Sequence, residues 1–326
     1  MSIDSGKYQK APNGIVNVLK PAVADERLQV ALQRQLQEGK KVYVAQNNEV
    51  AELNAALKAG LPVALIGPPG VGKTTLVHNL AVEENLPLGT VMGTKARLWE
   101  VVGAALEYGN DYVYNDGTIA LHSRATSRSI LYLDEAVEFP PEIFTSLSSM
   151  LDQRASLYIK ETGEALSTAH LSIVLAFNAP TIDYLDKLPT PATLDRLVVI
   201  RFGEHSGQDM LRILKIKYGL EKDPQTGELH KADDEVKIAL KKHGKNLASL
   251  YDDMNSKVSG SHESVVIKRV TTRSAENALK LIAAGLSAPQ AATIAMINPM
   301  VPVEDGVVKK FLESAKEVVQ TWLGKE

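Results

Sequence analysis

The stretch GPPGVGKTTL, Gly67 to Leu76, holds the most specific chemistry in the chain. Gly67, four intervening residues, then Gly72, Lys73 and Thr74 meet the phosphate-loop pattern in full. Glycines there let backbone N–H groups close on phosphates, Lys73 reaches the β and γ oxygens, and Thr74 offers a hydroxyl to Mg2+. Gly67, Pro68, Pro69, Gly70, Val71, Gly72, Lys73, Thr74 and Thr75 are therefore the expected nucleotide-binding residues. Further along, SILYLDEA ends an apolar run with Asp134 and Glu135. Asp134 suits a hydrated Mg2+, which takes few carboxylates, so Thr74 and Asp134 are the candidate metal ligands. Glu135 could position or deprotonate an attacking water. The alternative, two solvated acids opening the next helix, loses weight beside a phosphate loop. A small-molecule kinase seldom needs a spare carboxylate for water, so hydrolysis is favoured.

Three more residues could join them. Asn178 closes the apolar run of LAFNAP and could hold the attacking water, or could be a turn residue before Pro180. Arg196, in TPATLDRLVVIRF, could neutralise a transferring phosphoryl group, or pair with Asp195. Arg273 begins a helix in VTTRSAENAL, where a cation is poorly placed for the helix dipole; a phosphate role and a plain surface role both remain open.

The elements that must position these side chains are legible. LPVALI leads into the glycine loop as a buried strand, and KTTLVHNLAVEEN follows as a helix. SILYLDEA, HLSIVLAFN and RLVVIRF are three further buried strands, so strands alternate with helices as in a doubly wound α/β domain. After Phe202 the remaining periodic segments, from GQDMLRILKIKYGL to EDGVVKKFLESAKEVVQTWL, are all helical in pattern.

Composition narrows the function. The chain has 326 residues, 44% hydrophobic and 23% charged, which is ordinary globular usage. A net charge of −3 and 5% aromatics argue against a protein built to neutralise or stack on nucleic acid. With no cysteine, disulfides and thiolate chemistry are excluded, and the histidines show no metal-ligand spacing. The start lacks an apolar signal-peptide core, and the uncharged stretch before Glu304 is broken by prolines, so a cytoplasmic protein without membrane insertion is expected.

Together these residues resemble the AAA+ ATPases, in detail their MoxR branch. Lys73 and Thr74 fall on the family's Walker A residues, Asp134 and Glu135 on its Walker B acids, and Asn178 on sensor 1. Arg196 falls on the arginine finger and Arg273 on sensor 2. The run from WEVVGAALEYGNDYVYNDG through LDEAVEFPPEIFTSLSSMLDQR is similar to the branch's helix-2 insert, Walker B and following helix. TTRSAENALKLIAAGLSAPQAATIAMINPMVP looks more like the CbbQ/NorQ subgroup.

The resemblance implies an α/β P-loop core with a parallel sheet, a helix-2 insert and a pre-sensor-1 β-hairpin, followed by a smaller all-helical lid domain. The boundaries are an N-terminal arm over 1–45, partly helical, a nucleotide-binding domain over 46–205 and a lid over 206–326. It further implies ATP with Mg2+, a homo-oligomeric ring, typically a hexamer, with the finger supplied by a neighbour, and work on a protein client. A von Willebrand A-domain protein is the implied partner, as a separate chain. The rivals are a nucleic-acid motor of the same clade and a nucleotide-locked scaffold without turnover.

Overall fold

In the computed structural model, which describes residues 4–152, 154–178, 195–260, 269–300 and 306–324, the strands in chain order are β1 Tyr8–Lys10, β2 Val16–Leu19, β3 Val63–Gly67, β4 Leu88–Met92, β5 Gly103–Tyr108 and β6 Asp111–Asp116. They continue as β7 Ser129–Asp134, β8 Ser156–Ile159, β9 Glu164–Ser167, β10 Leu171–Asn178 and β11 Val198–Arg201. The chain divides into two compact units. One comprises Met1–Lys41, Asn47–Gly67 and Lys73–Phe202; the other comprises Val42–Gln46, Pro68–Gly72 and Gly203–Glu326.

In the first unit β3, β7 and β10 are buried along almost their whole length, which is why they read as near-continuous apolar runs rather than alternating ones. They sit inside a five-stranded sheet of order β11-β3-β10-β7-β4, in which every pairing is parallel. This is the mixed α/β architecture expected from the sequence. The register sets Asn178 beside Gly67 and Met92 beside Asp134. Gly67, Asp134 and Asn178 therefore leave the sheet at its carboxyl edge, where ligands of open α/β sheets bind. β4 and β11 are the two sheet edges: LGTVM alternates exposed and buried residues, and RLVVIRF, expected as a buried strand, buries only Ile200 of β11 because one side of that strand has no sheet neighbour.

The N-terminal arm is stitched into this unit. β1 and β2 pair antiparallel, and β2 adds in parallel to β6, so the arm extends the β5–β6 hairpin into a sheet of order β1-β2-β6-β5. The helix Pro21–Glu38 follows. Its Asp25 carboxylate accepts from the backbone N–H and hydroxyl of both Thr126 and Ser127, at 2.6–3.0 Å. Gln35 bonds Leu86 O and Leu88 N, each at 3.1 Å.

A buried guanidinium ties the β5–β6 and β8–β9 hairpins together. Arg124 makes paired bonds to Asp116, at the end of β6, and to Glu164, at the start of β9, at 2.6–3.0 Å. All three side chains are at least nine-tenths buried. Burial alone would lower the Arg124 pKa, but the bonds from Glu164 and Asp116 outweigh it and raise it. Losing one partner of such a buried network costs about 3–5 kcal/mol, because the remaining charges stay uncompensated. Asn13, in the turn between β1 and β2, also donates to Glu161 O at 2.7 Å, in the turn of the β8–β9 hairpin. The arm, the β5–β6 hairpin and the β8–β9 hairpin thus form one connected end of the unit.

The second unit is helical among its described residues, with helices Gly207–Lys217, Asp234–Gly260, Thr272–Ala283, Ala288–Ala292 and Gly306–Leu323. Ser206 opens the first through a capping box with Asp209, and the Thr271 hydroxyl accepts from Ser274 N to open the third. Met210, Leu214, Leu240, Met254, Leu279 and Met296 belong to a core of its own. Among the described residues no helix is long and apolar enough to cross a membrane.

Candidate nucleotide-binding site

β3 ends at Gly67 and the helix Lys73–Glu83 begins at the lysine, so the loop between them has the strand-loop-helix context its motif requires. Gly70 and Gly72 have φ of 83° and 97°, in the left-handed region where a side chain is strained. These are the residues whose turns would aim backbone N–H groups at a phosphate. Pro68–Gly72 clusters with the helical unit, where the His205 ring bonds Val71 O at 3.2 Å. Pro68, Pro69, Gly70 and Val71 line a small cavity there with His205 and Thr271.

Within the α/β unit the remaining predicted residues meet. Lys73 is 5% exposed, and its ammonium donates to Gly67 O at 2.8 Å and to Asn178 Oδ1 at 3.0 Å. The Thr74 hydroxyl donates to Asp134 Oδ2 at 2.9 Å. Asp134 Oδ1 accepts from the Glu135 N–H at 3.0 Å. Thr75, next on the helix, is half-buried. Glu135 itself sits at φ 52°, ψ 50°, a left-handed conformation that a non-glycine residue adopts at a cost of about 1–3 kcal/mol. The turn carrying it packs against the end of β4, where a Cβ at Gly93 would run into the Glu135 carbonyl oxygen. Glycine at 93 is what allows this close approach.

Burial pulls the Lys73 pKa down to about 8, while Asp134 and Glu135 pull it back up. A bound phosphate would raise it, since an adjacent anion favours the charged form. Above pH 8 the empty site therefore holds a neutral lysine and the nucleotide complex a charged one, so binding takes up a proton. Nucleotide affinity should fall as pH rises past 8, by up to about tenfold per unit. Fluorescent-nucleotide titrations from pH 7 to 9.5 check this; a flat profile would contradict it.

The donor set fits Mg2+. A solvent-facing hydroxyl and one carboxylate, both hard oxygen donors, make a half-site that phosphates and water would complete. Among the described residues no group of three or more His, Cys, Asp or Glu could cage a metal alone.

Sequence reading passed over Tyr132. Its side chain is fully buried in β7, and its hydroxyl lies 3.1 Å from Thr74 Oγ1. Burial and the nearby Asp134 carboxylate push the phenol well above its ordinary pKa. The available signal was one hydroxylated aromatic in an otherwise aliphatic run.

The two arginines stand elsewhere. Arg196 is exposed in the turn before β11. The Asp152 carboxylate is held low by its bonds to Arg154 and, more weakly, by the Arg196 charge. β11 runs parallel to β3 with Val198 beside Val63, so Arg196 lies at the end of the sheet opposite Gly67. The length of β3 alone separates those ends by about 13 Å. Arg273 is exposed on the first turn of the helix Thr272–Ala283, in the other unit.

Residues 62–197 match the AAA domain family, dynein-related subfamily. The chain is 29% identical over 271 residues to Protein NorQ of Paracoccus denitrificans, covering 83% of this chain and 90% of NorQ. Residues 62–197 are thus an AAA domain, and the chain is homologous to NorQ, NirQ and CbbQ, AAA+ ATPases of the MoxR family. It is also 33% identical over 177 residues to the denitrification regulatory protein NirQ of Pseudomonas aeruginosa, 53% of this chain and 66% of NirQ. Over 139 residues it is 30% identical to Protein CbbQ of Hydrogenophilus thermoluteolus, 42% of this chain and 51% of CbbQ. As an AAA+ protein of the NorQ, NirQ and CbbQ type, the chain is a nucleotide-binding ATPase by family.

Proposed function

We propose that the chain is an Mg2+-dependent ATPase that assembles into a homo-oligomeric ring, a hexamer, and remodels or activates a protein client. The observation that carries this reading is the bonded set Lys73, Thr74, Asp134 and Asn178 at one edge of the sheet, with Arg196 at the other. Lys73 and the loop hold the phosphates; Thr74 and Asp134 would hold the ion, which would supply positive charge against the phosphates. Glu135 takes a proton from the attacking water, and Asn178 orients that water once ATP has drawn Lys73 away from it. Arg196, too far along the sheet to serve its own Gly67 loop, serves a neighbour's. Arg273 contacts phosphate from the lid. The functional division is an arm over 1–45, a nucleotide-binding domain over 46–205 and a lid over 206–326.

The relatives described as denitrification regulatory proteins support a regulatory or activating role rather than metabolic chemistry. We assign client contact to the connected hairpins, residues 160–164 and 108–116, through their exposed Lys160, Glu161, Tyr108 and Tyr112 rather than the buried Glu164 and Asp116, with a separate von Willebrand A-domain protein as partner. Hydrolysis performs work only if the ATP and ADP states differ in affinity for the client. Glu135→Gln loaded with ATP should therefore retain a protein that ADP releases, as affinity purification reads. Recovery of nucleic acid alone would replace the remodelling reading with the motor one. Identical recovery in both states would remove it.

A further inference from the structure

β7 is a buried strand between sheet neighbours, and Ile130, Leu131 and Leu133 fill their places in it with aliphatic side chains. Tyr132 does not. A buried phenol must find a hydrogen-bond partner, so an aliphatic residue would serve packing at less polar cost. Its position explains the choice. Tyr132 precedes Asp134 by two residues on the same strand, so both side chains project from one face of the sheet. The Tyr132 hydroxyl meets Thr74 Oγ1 at 3.1 Å, and the Thr74 hydroxyl donates to Asp134 Oδ2 at 2.9 Å. Three oxygens thus cluster between the core and the solvent-facing ion half-site, with the phenol also within hydrogen-bond reach of the Asp134 carboxylate.

Thr74 is the second residue of its helix, with no helical turn before it, so its χ1 rotamer is fixed by what its hydroxyl bonds. Without the phenol, that hydroxyl would lose the partner that holds it from the core side. We propose that Tyr132 is a positioning residue for the divalent ion, its phenol holding the Thr74 hydroxyl in the rotamer that ligates the ion and bonds Asp134. This rests on the assignment of Thr74 and Asp134 to the ion. It extends to this site the rule that outer partners orient metal ligands.

Tyr132→Phe removes one oxygen and leaves the ring that packs in the sheet. Mn2+ titrations followed by electron paramagnetic resonance, on protein saturated with ADP, read ion affinity without turnover. Thr74→Ala is the companion variant, and a thermal melt confirms that each variant folds. Tyr132→Phe should weaken Mn2+ about tenfold, the lower edge for loss of an outer partner, with ADP affinity in chelator unchanged. If Thr74→Ala loses Mn2+ but Tyr132→Phe binds it as wild type does, the positioning role is overturned and the ion assignment stands. If Thr74→Ala binds Mn2+ normally, the ion assignment itself fails and the proposal with it. An equal loss of ADP affinity in chelator would also overturn the proposal, since the phenol would then shape the whole loop.

Discussion

Glu135→Gln should leave ATP bound and nearly stop its hydrolysis. Glutamine keeps the shape of the side chain and its reach but accepts no proton from water. A positioned general base contributes about 10²–10⁴ in rate, so turnover should drop by that order. The left-handed backbone at Glu135 should tolerate the change, because strain there depends on the Cβ, which both residues carry. Asp134, which accepts from the Glu135 N–H and the Thr74 hydroxyl, keeps both bonds. Lys73→Ala gives the contrast: it removes a buried ammonium held by Gly67 O and Asn178 Oδ1, and with it the charge on the β and γ oxygens. Binding itself should be lost. Phosphate release beside a fluorescent-nucleotide titration separates the two, and near wild-type turnover in Glu135→Gln would contradict the role given to Glu135.

The parts of this site legible in the sequence share one property. Gly67, Asp134 and Asn178 each end a near-continuous apolar run, with Lys73 six residues beyond the first, and such runs occur where a strand is covered on both faces. The side chain at the exit of a buried strand is conspicuous because polarity begins there. β4 was hidden because LGTVM lacks the aliphatic density that made β11, also an edge strand, legible as VVI. β1 and β2 were hidden for a different reason. They are three and four residues long and pair with β6, a segment distant in sequence, so no local pattern announces them. Arg124 belongs with them: its value lies in Asp116 and Glu164, brought together only by the fold. Tyr132 could have been noticed, since its hydroxyl is out of place among Leu131 and Leu133, but its partner Thr74 could not have been named without the register of β7. Gly93 is the same kind of case. Its requirement comes from the Glu135 carbonyl and not from its own turn.

The second large effect concerns Arg196. An arginine finger is worth about 10³–10⁵ in rate where it has been measured in GTPases, so Arg196→Ala should bind ATP normally and hydrolyse it very poorly. The sheet geometry supports this reading without a role for Arg196 at its own chain's Gly67. Arg196 enters β11 at the end paired with Val63, while the phosphate loop leaves β3 at Gly67. Leu197, the next residue, is buried in the core, so the turn that presents Arg196 is anchored at its base. A charge held there is exposed to solvent, as the proposed role across a subunit boundary requires.

The most direct test of a ring ATPase whose sites are shared between subunits is therefore complementation between two inactive variants. Arg196→Ala and Glu135→Gln protomers are mixed over a range of ratios, mixed assemblies are confirmed by native mass spectrometry, and phosphate release is measured. A site is complete where an Arg196→Ala protomer, with its intact Glu135, faces a Glu135→Gln neighbour carrying an intact arginine. Shared sites predict activity above either variant alone, peaking at an intermediate ratio. Confirmed mixed assemblies with no gain at any ratio would contradict them.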